Sequence, residues 1–156
     1  MEYVRLDARI GDLTGVLDPT PYLERLPAIV HDLPPGARAF ATDPGHYAFG
    51  SGRCVKDLTI RAVRGIGGEE VEVEFRHNCW KHEEDLLIRY TGVTGFVIGS
   101  DAGEDPAAGL GTVVLDEVLP HADGCRHEIA CWETTLTVVC RDLRATWVEA
   151  VCPDKP

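Results

Sequence analysis

Basic residues are scarce in this chain, and so are serines and long apolar runs. Fifteen Lys and Arg stand against twenty-six Asp and Glu, a formal charge of −11 over 156 residues. The few basic residues do not gather: Arg61 with Arg64 and Arg141 with Arg144 are broken up by acids or apolar residues. A surface of that sign repels phosphate backbones and anionic headgroups, which sets nucleic acid and membrane surfaces aside as partners. If the charge does more than keep the chain in solution, its natural partner is a basic protein. No apolar run approaches the roughly 20 residues that cross a bilayer as a helix. The opening Met1-Glu2-Tyr3-Val4-Arg5-Leu6-Asp7 has neither a basic n-region nor an apolar h-region, so a cytoplasmic location is expected.

Missing motifs narrow the chemistry further. Ser51 and Ser100 are the two serines, and neither sits in a Gly-x-Ser-x-Gly elbow. Gly65-Ile66-Gly67-Gly68 joins two strand-like runs and opens no helix, so it lacks the dipole of a phosphate loop. There is no Cys-x-x-Cys and no His-Glu-x-x-His. Six cysteines, Cys54, Cys79, Cys125, Cys131, Cys140 and Cys152, are an even number. Neither the size nor the start suits a short secreted scaffold, so they are expected to be mainly reduced and buried as small hydrophobes.

What is present is an ordinary globular composition, 44% apolar and 26% charged, at a length typical of one domain. Residues 1–53 form a lead-in. Tyr22, Leu26, Ile29, Val30 and Leu33 recur at helical spacing after Thr20-Pro21, with Pro27 interrupting and Pro34-Pro35-Gly36 ending the segment. Ala37 to Ala41 alternates weakly, as a strand would, and His46 to Arg53 has the composition of an ordered loop that can line a site.

From Cys54 to Val148 the period becomes two. Leu58, Ile60 and Ala62, then Val71, Val73 and Phe75, alternate with polar residues on either side of the glycine turn. Leu86 to Tyr90 and Val93 to Ile98 read as strands separated or bent at Thr91-Gly92, and Gly99 to Gly111 reads as a loop. Thr112 to Leu119, apolar on both faces, reads as a central strand. Arg126 to Cys131, Thr135 to Cys140 and Leu143 to Val148 complete the series, with inward parity changing near Arg141-Asp142, and residues 149–156 form a tail. The expected fold is mainly β, an antiparallel sandwich or partly open barrel with one short N-terminal helical segment.

Two windows concentrate metal-ligand types: His77-Asn78-Cys79-Trp80-Lys81-His82, and His121 through Cys125 and His127 to Cys131. Zinc takes nitrogen and sulfur ligands in a tetrahedron, which makes His77, Cys79, His82, Cys125, His127 and Cys131 candidate ligands if the windows meet. The ordinary alternative is that these cysteines fill the core while the histidines bond locally. A thiol nucleophile at Cys79 or Cys125, each near a histidine in sequence, and an acid pair drawn from Glu83-Glu84-Asp85 are further chemical readings. His46, Tyr47, Trp80, His121 and Trp132 are candidates for a binding surface, because aromatic residues between polar neighbours serve as partner anchors.

Several short runs carry a resemblance: Lys56-Asp57-Leu58-Thr59-Ile60, the stretch Leu87 to Phe96, and His127-Glu128-Ile129 with Leu136-Thr137-Val138 and Asp142-Leu143. In plan the run from Cys54 to Val148 resembles a loose set of small β-rich bacterial proteins that include immunity proteins of polymorphic-toxin systems and many proteins of unknown function. That resemblance implies a binding role, blocking a toxin. Three classes of function therefore stand open: an acidic interaction domain of this immunity-like kind, a zinc-binding protein or metalloenzyme, and a small-ligand binder using a sandwich or barrel cavity.

Overall fold

A computed structural model describes residues 1–100 and 110–152. Among these residues eight strands occur in the order β1 (Arg5–Ile10), β2 (Leu13–Asp18), β3 (Thr59–Arg64), β4 (Glu70–Arg76), β5 (Glu84–Ser100), β6 (Val113–His121), β7 (Gly124–Cys131) and β8 (Thr134–Glu149). Two helices, α1 (Thr20–Ile29) and α2 (Pro35–Ala41), lie between β2 and β3. The protein is mainly β with antiparallel pairing, as its alternation predicts. β1 and β2 form their own hairpin, and the other six strands make one sheet in the order β3-β4-β5-β8-β7-β6. That sheet curls until its edge strands approach one another. They meet at a bridge, Thr59 to Thr112, where Val113 N–H donates to the Leu58 carbonyl at 2.7 Å and Ile60 N–H to the Gly111 carbonyl at 3.1 Å. Among the described residues no continuous ladder joins β3 to β6, so the antiparallel sheet is open and not closed.

The lead-in departs most from the sequence reading. The β1–β2 hairpin has no signal in the sequence, because most of its residues are exposed and it carries no inward periodicity. Ala37 to Ala41 belongs to a helix, not a strand. Pro35 is well placed in a first helical turn, and the Asp142 carboxylate on β8 accepts the N–H groups of Gly36 and Ala37 at 3.1 and 2.9 Å. That cap comes from more than a hundred residues away, so the local sequence cannot announce it. The approach is close as well: a side chain at Gly36 would run into the Leu143 carbonyl. Pro27 is held inside α1, which continues into a short 3-10 turn at Val30–Asp32.

Three strand expectations also change. Thr135 to Cys140 and Leu143 to Val148 run on as the single strand β8. Thr91-Gly92 does not divide two strands. It lies within the long β5, whose register shifts between Val93 and Gly95, with Gly92 at φ 62°. The β6 strand is an edge of the sheet although both its faces are buried. Its outer face is covered because the Glu117 carboxylate accepts the N–H groups of Glu2, Tyr3 and Val4 at 2.7–2.8 Å. The hydroxyls of Tyr22 and Tyr47 donate to the Val118 and Asp116 carbonyls at 2.8 and 3.2 Å, satisfying groups that an edge leaves open. The loop read at Gly99 to Gly111 falls mostly at 101–109, outside the described residues.

One core joins these parts. Phe40 of α2 and Tyr22 of α1 pack with Phe75, Leu86, Ile88, Leu115, Ile129 and Leu136 from the sheet. No helix among the described residues is long and apolar enough to cross a membrane.

Candidate functional site

Asp116 interrupts the apolar run of β6, and its side chain is fully enclosed. A carboxylate in that position needs compensating partners, and two histidines supply them. His46 Nε2 lies 2.7 Å from Asp116 Oδ1 and His127 Nε2 lies 2.8 Å from Oδ2. The other nitrogen of His46 faces the Phe40 carbonyl at 2.9 Å, and that of His127 faces the Tyr90 hydroxyl at 2.8 Å. Both nitrogens of His46 therefore meet acceptors, which requires both to carry protons, so His46 is an imidazolium paired with the Asp116 carboxylate. Burial alone would pull the His46 value down; the Asp116 charge and the hydrogen bonds His46 donates to Asp116 and Phe40 outweigh it, and the net shift is upward from 6.5. Burial likewise works to raise the Asp116 carboxyl, and the charge of His46 with hydrogen bonds from both histidines brings it below the ordinary 3.8.

This arrangement assigns His46, Tyr47 and His127 to the interior. Tyr47 stacks on His46, with ring centroids 4.1 Å apart, and is itself buried. None of the three forms a binding surface or an open ligand set. All of their polar atoms are satisfied.

The remaining candidates separate just as clearly. His82 is completely buried: Asn78 N–H donates to its Nδ1 at 3.1 Å and its Nε2 lies 2.8 Å from the Cys54 carbonyl, so neither nitrogen is left for a metal. Burial lowers its affinity for a proton, in keeping with a neutral ring. Cys125, His127 and Cys131 share the inward face of β7, yet Cys125 packs against Cys140 with sulfurs 3.6 Å apart, and its thiol is pushed up by that contact and by burial. Burial raises Cys131 to about 11 and also raises Cys54. His121 is exposed and accepts the Asp123 N–H at 3.2 Å. Trp80 and Trp132 are 95% and 71% exposed, while Trp147 is partly buried against the core.

The two sequence windows thus do not meet. His77 and Cys79 instead find a third group in the tail, Cys152. One ligand atom from each lies within 4.8 Å of the other two. The elements explain why. β4 ends at Arg76, the chain turns through Asn78 to His82, where the Asn78 carbonyl accepts the Lys81 and His82 N–H groups, and β5 runs back beside β8. The segment after β8 therefore emerges against that turn, where Ala150 N–H donates to the Glu83 carbonyl at 3.1 Å. Asp85 fixes the histidine: its Oδ1 accepts both the His77 backbone N–H at 2.8 Å and Nδ1–H at 2.7 Å. With Nδ1 held, Nε2 points to the Cys79 sulfur at 3.4 Å.

Cys79 and Cys152 are joined as a disulfide, with α-carbons 5.7 Å apart, which corrects the expectation of reduced cysteines for this pair and leaves the other four as free thiols. Cys152 also lines a groove of about 470 Å³ with His82, Glu83, Glu84, Glu149 and Ala150, an acidic wall beside the cluster. Nothing local in the sequence marks Cys152, a tail residue, as a ligand; the even cysteine count is the signal it leaves. No known protein family and no curated protein matches the chain.

Proposed function

We propose that this protein binds zinc, through His77 Nε2 and the thiolates of Cys79 and Cys152 when that pair is reduced. One observation carries the reading: three ligand atoms of the types zinc prefers converge within 4.8 Å, and the histidine is already oriented by a carboxylate on its far nitrogen. A carboxylate behind a ligating histidine sets its tautomer and raises its basicity, an arrangement common to zinc sites. Three protein ligands would leave a fourth position open, and Cys152 borders a groove that Glu83, Glu84 and Glu149 also line. Titration of the reduced protein with zinc against a chromogenic competitor is expected to give one equivalent per chain, lost in the double variant Cys79→Ser with Cys152→Ser. Retention of a full equivalent by that variant would rule the site out.

A second reading, capture of a basic protein, draws support from Trp80, 95% exposed in the same turn, and from the formal charge of −11. An almost fully exposed indole is the kind of residue that anchors a partner. Trp80→Ala is then expected to reduce the basic proteins retained on immobilised protein at low salt. Equal retention by variant and parent would remove this reading.

A further inference from the structure

The zinc reading and the disulfide make competing demands on the same two sulfurs. Resting on that reading, we infer that the site is controlled by oxidation: reduced Cys79 and Cys152 hold zinc with His77, and a peroxide converts them to the disulfide and expels the ion. A sulfur in a disulfide carries no negative charge to donate, so the two states exclude each other.

The geometry makes the exchange small. Zinc–sulfur bonds of about 2.3 Å on a tetrahedron place two thiolates roughly 3.7 Å apart, against about 2.05 Å for a bonded pair. The required opening is less than about 2 Å. It falls on residues 150–152, which lie beyond the end of β8 and outside any strand. The 77–82 turn, tied by Asp85 and by the Asn78 carbonyl, can stay in place.

Position also selects these two cysteines over the others. Cys79 and Cys152 are partly exposed, whereas Cys54, Cys125, Cys131 and Cys140 are buried in the core. Oxidants react with accessible thiolates, and zinc keeps its ligand sulfurs in that form. Disulfides in reducing compartments are mostly transient and redox-sensing, the kind of use that a cytoplasmic location would give this pair.

The chemistry balances. The two zinc-bound thiolates each lose one electron and a sulfur–sulfur bond forms. Hydrogen peroxide takes both electrons and two protons, its oxygen–oxygen bond breaks, two waters leave, and the zinc ion departs without change of charge. In the reverse direction a dithiol reductant supplies two electrons, becomes a disulfide itself, and zinc rebinding releases two protons.

The test uses the whole chain, reduced and loaded with one equivalent of zinc, treated with stoichiometric hydrogen peroxide. Released zinc is read with a chromogenic chelator, and the oxidised cysteines are located by peptide mass mapping. The expected result is loss of the bound zinc in step with the Cys79–Cys152 linkage, one ion per disulfide, reversed by dithiothreitol. Zinc that stays bound, or leaves while oxidation falls on other cysteines, overturns the switch and leaves the zinc site standing. Reduced protein that never takes up zinc overturns both.

Discussion

Replacing Asp116 with alanine is expected to cost about 3–5 kcal/mol of folding stability, the range for removing one partner of a buried charged pair. Against the roughly 5–15 kcal/mol that holds a domain together, that loss is severe. The reason is local. In the variant the His46 imidazolium keeps the Phe40 carbonyl but loses its counter-charge, and His127 loses the acceptor for its Nε2–H. Asparagine tests the electrostatic part separately. Its amide N–H can donate to a neutral His46 at Nε2 while its oxygen accepts from His127, so every hydrogen bond survives without a charge. Asp116→Asn is therefore expected to cost much less than Asp116→Ala in urea unfolding.

The same pair sets a pH dependence. His46 is raised above its ordinary 6.5, so its contribution is complete below that value and is lost as pH rises through the higher folded value. Asp116 is lowered below its ordinary 3.8, so its contribution is complete above that value and is lost as pH falls through the lower folded value. Stability from this pair is greatest between the two ordinary values. The Asp116→Asn variant, which lacks the ion pair, should lose the decline on the alkaline side. If Asp116→Ala unfolds within about 0.5 kcal/mol of the parent, an ordinary surface-sized effect, the buried ion pair is wrong.

The second large effect concerns zinc. Asp85→Ala removes the acceptor for His77 Nδ1–H and is expected to weaken zinc binding by about 10–100-fold, as loss of an outer-shell carboxylate does. Cys79→Ser removes a ligand outright and should exceed that range. Both are read by competition titration of the reduced protein, with circular dichroism to show that the fold persists. Asp85 also accepts the His77 backbone N–H, so Asp85→Asn, which keeps an acceptor oxygen, should fall between the parent and Asp85→Ala. An Asp85→Ala protein with unchanged zinc affinity would separate Asp85 from the site.

The sheet was legible because burial leaves a period. Val71, Val73 and Phe75 alternate with glutamates and form β4 where the alternation lies. The α2 helix was not legible, since its start is fixed by Asp142 across the fold, and β6 looked central because segments remote in sequence cover its outer face. The site divided in the same way. His77 and Cys79 were visible as a window of ligand types, whereas Cys152 joins them through the pairing of β5 with β8. Asp116 was the overlooked signal in the interior: an acid in a strand apolar on both faces requires buried partners, and His46 and His127 are those partners.

X-ray absorption at the zinc edge of the reduced, zinc-loaded protein tests the proposed centre most directly. The expected first shell holds two sulfurs at about 2.3 Å and one imidazole nitrogen at about 2.0–2.1 Å, with the sulfur contribution lost in the double variant Cys79→Ser with Cys152→Ser. A first shell of nitrogen and oxygen alone, or a spectrum that the double variant leaves unchanged, would contradict the site.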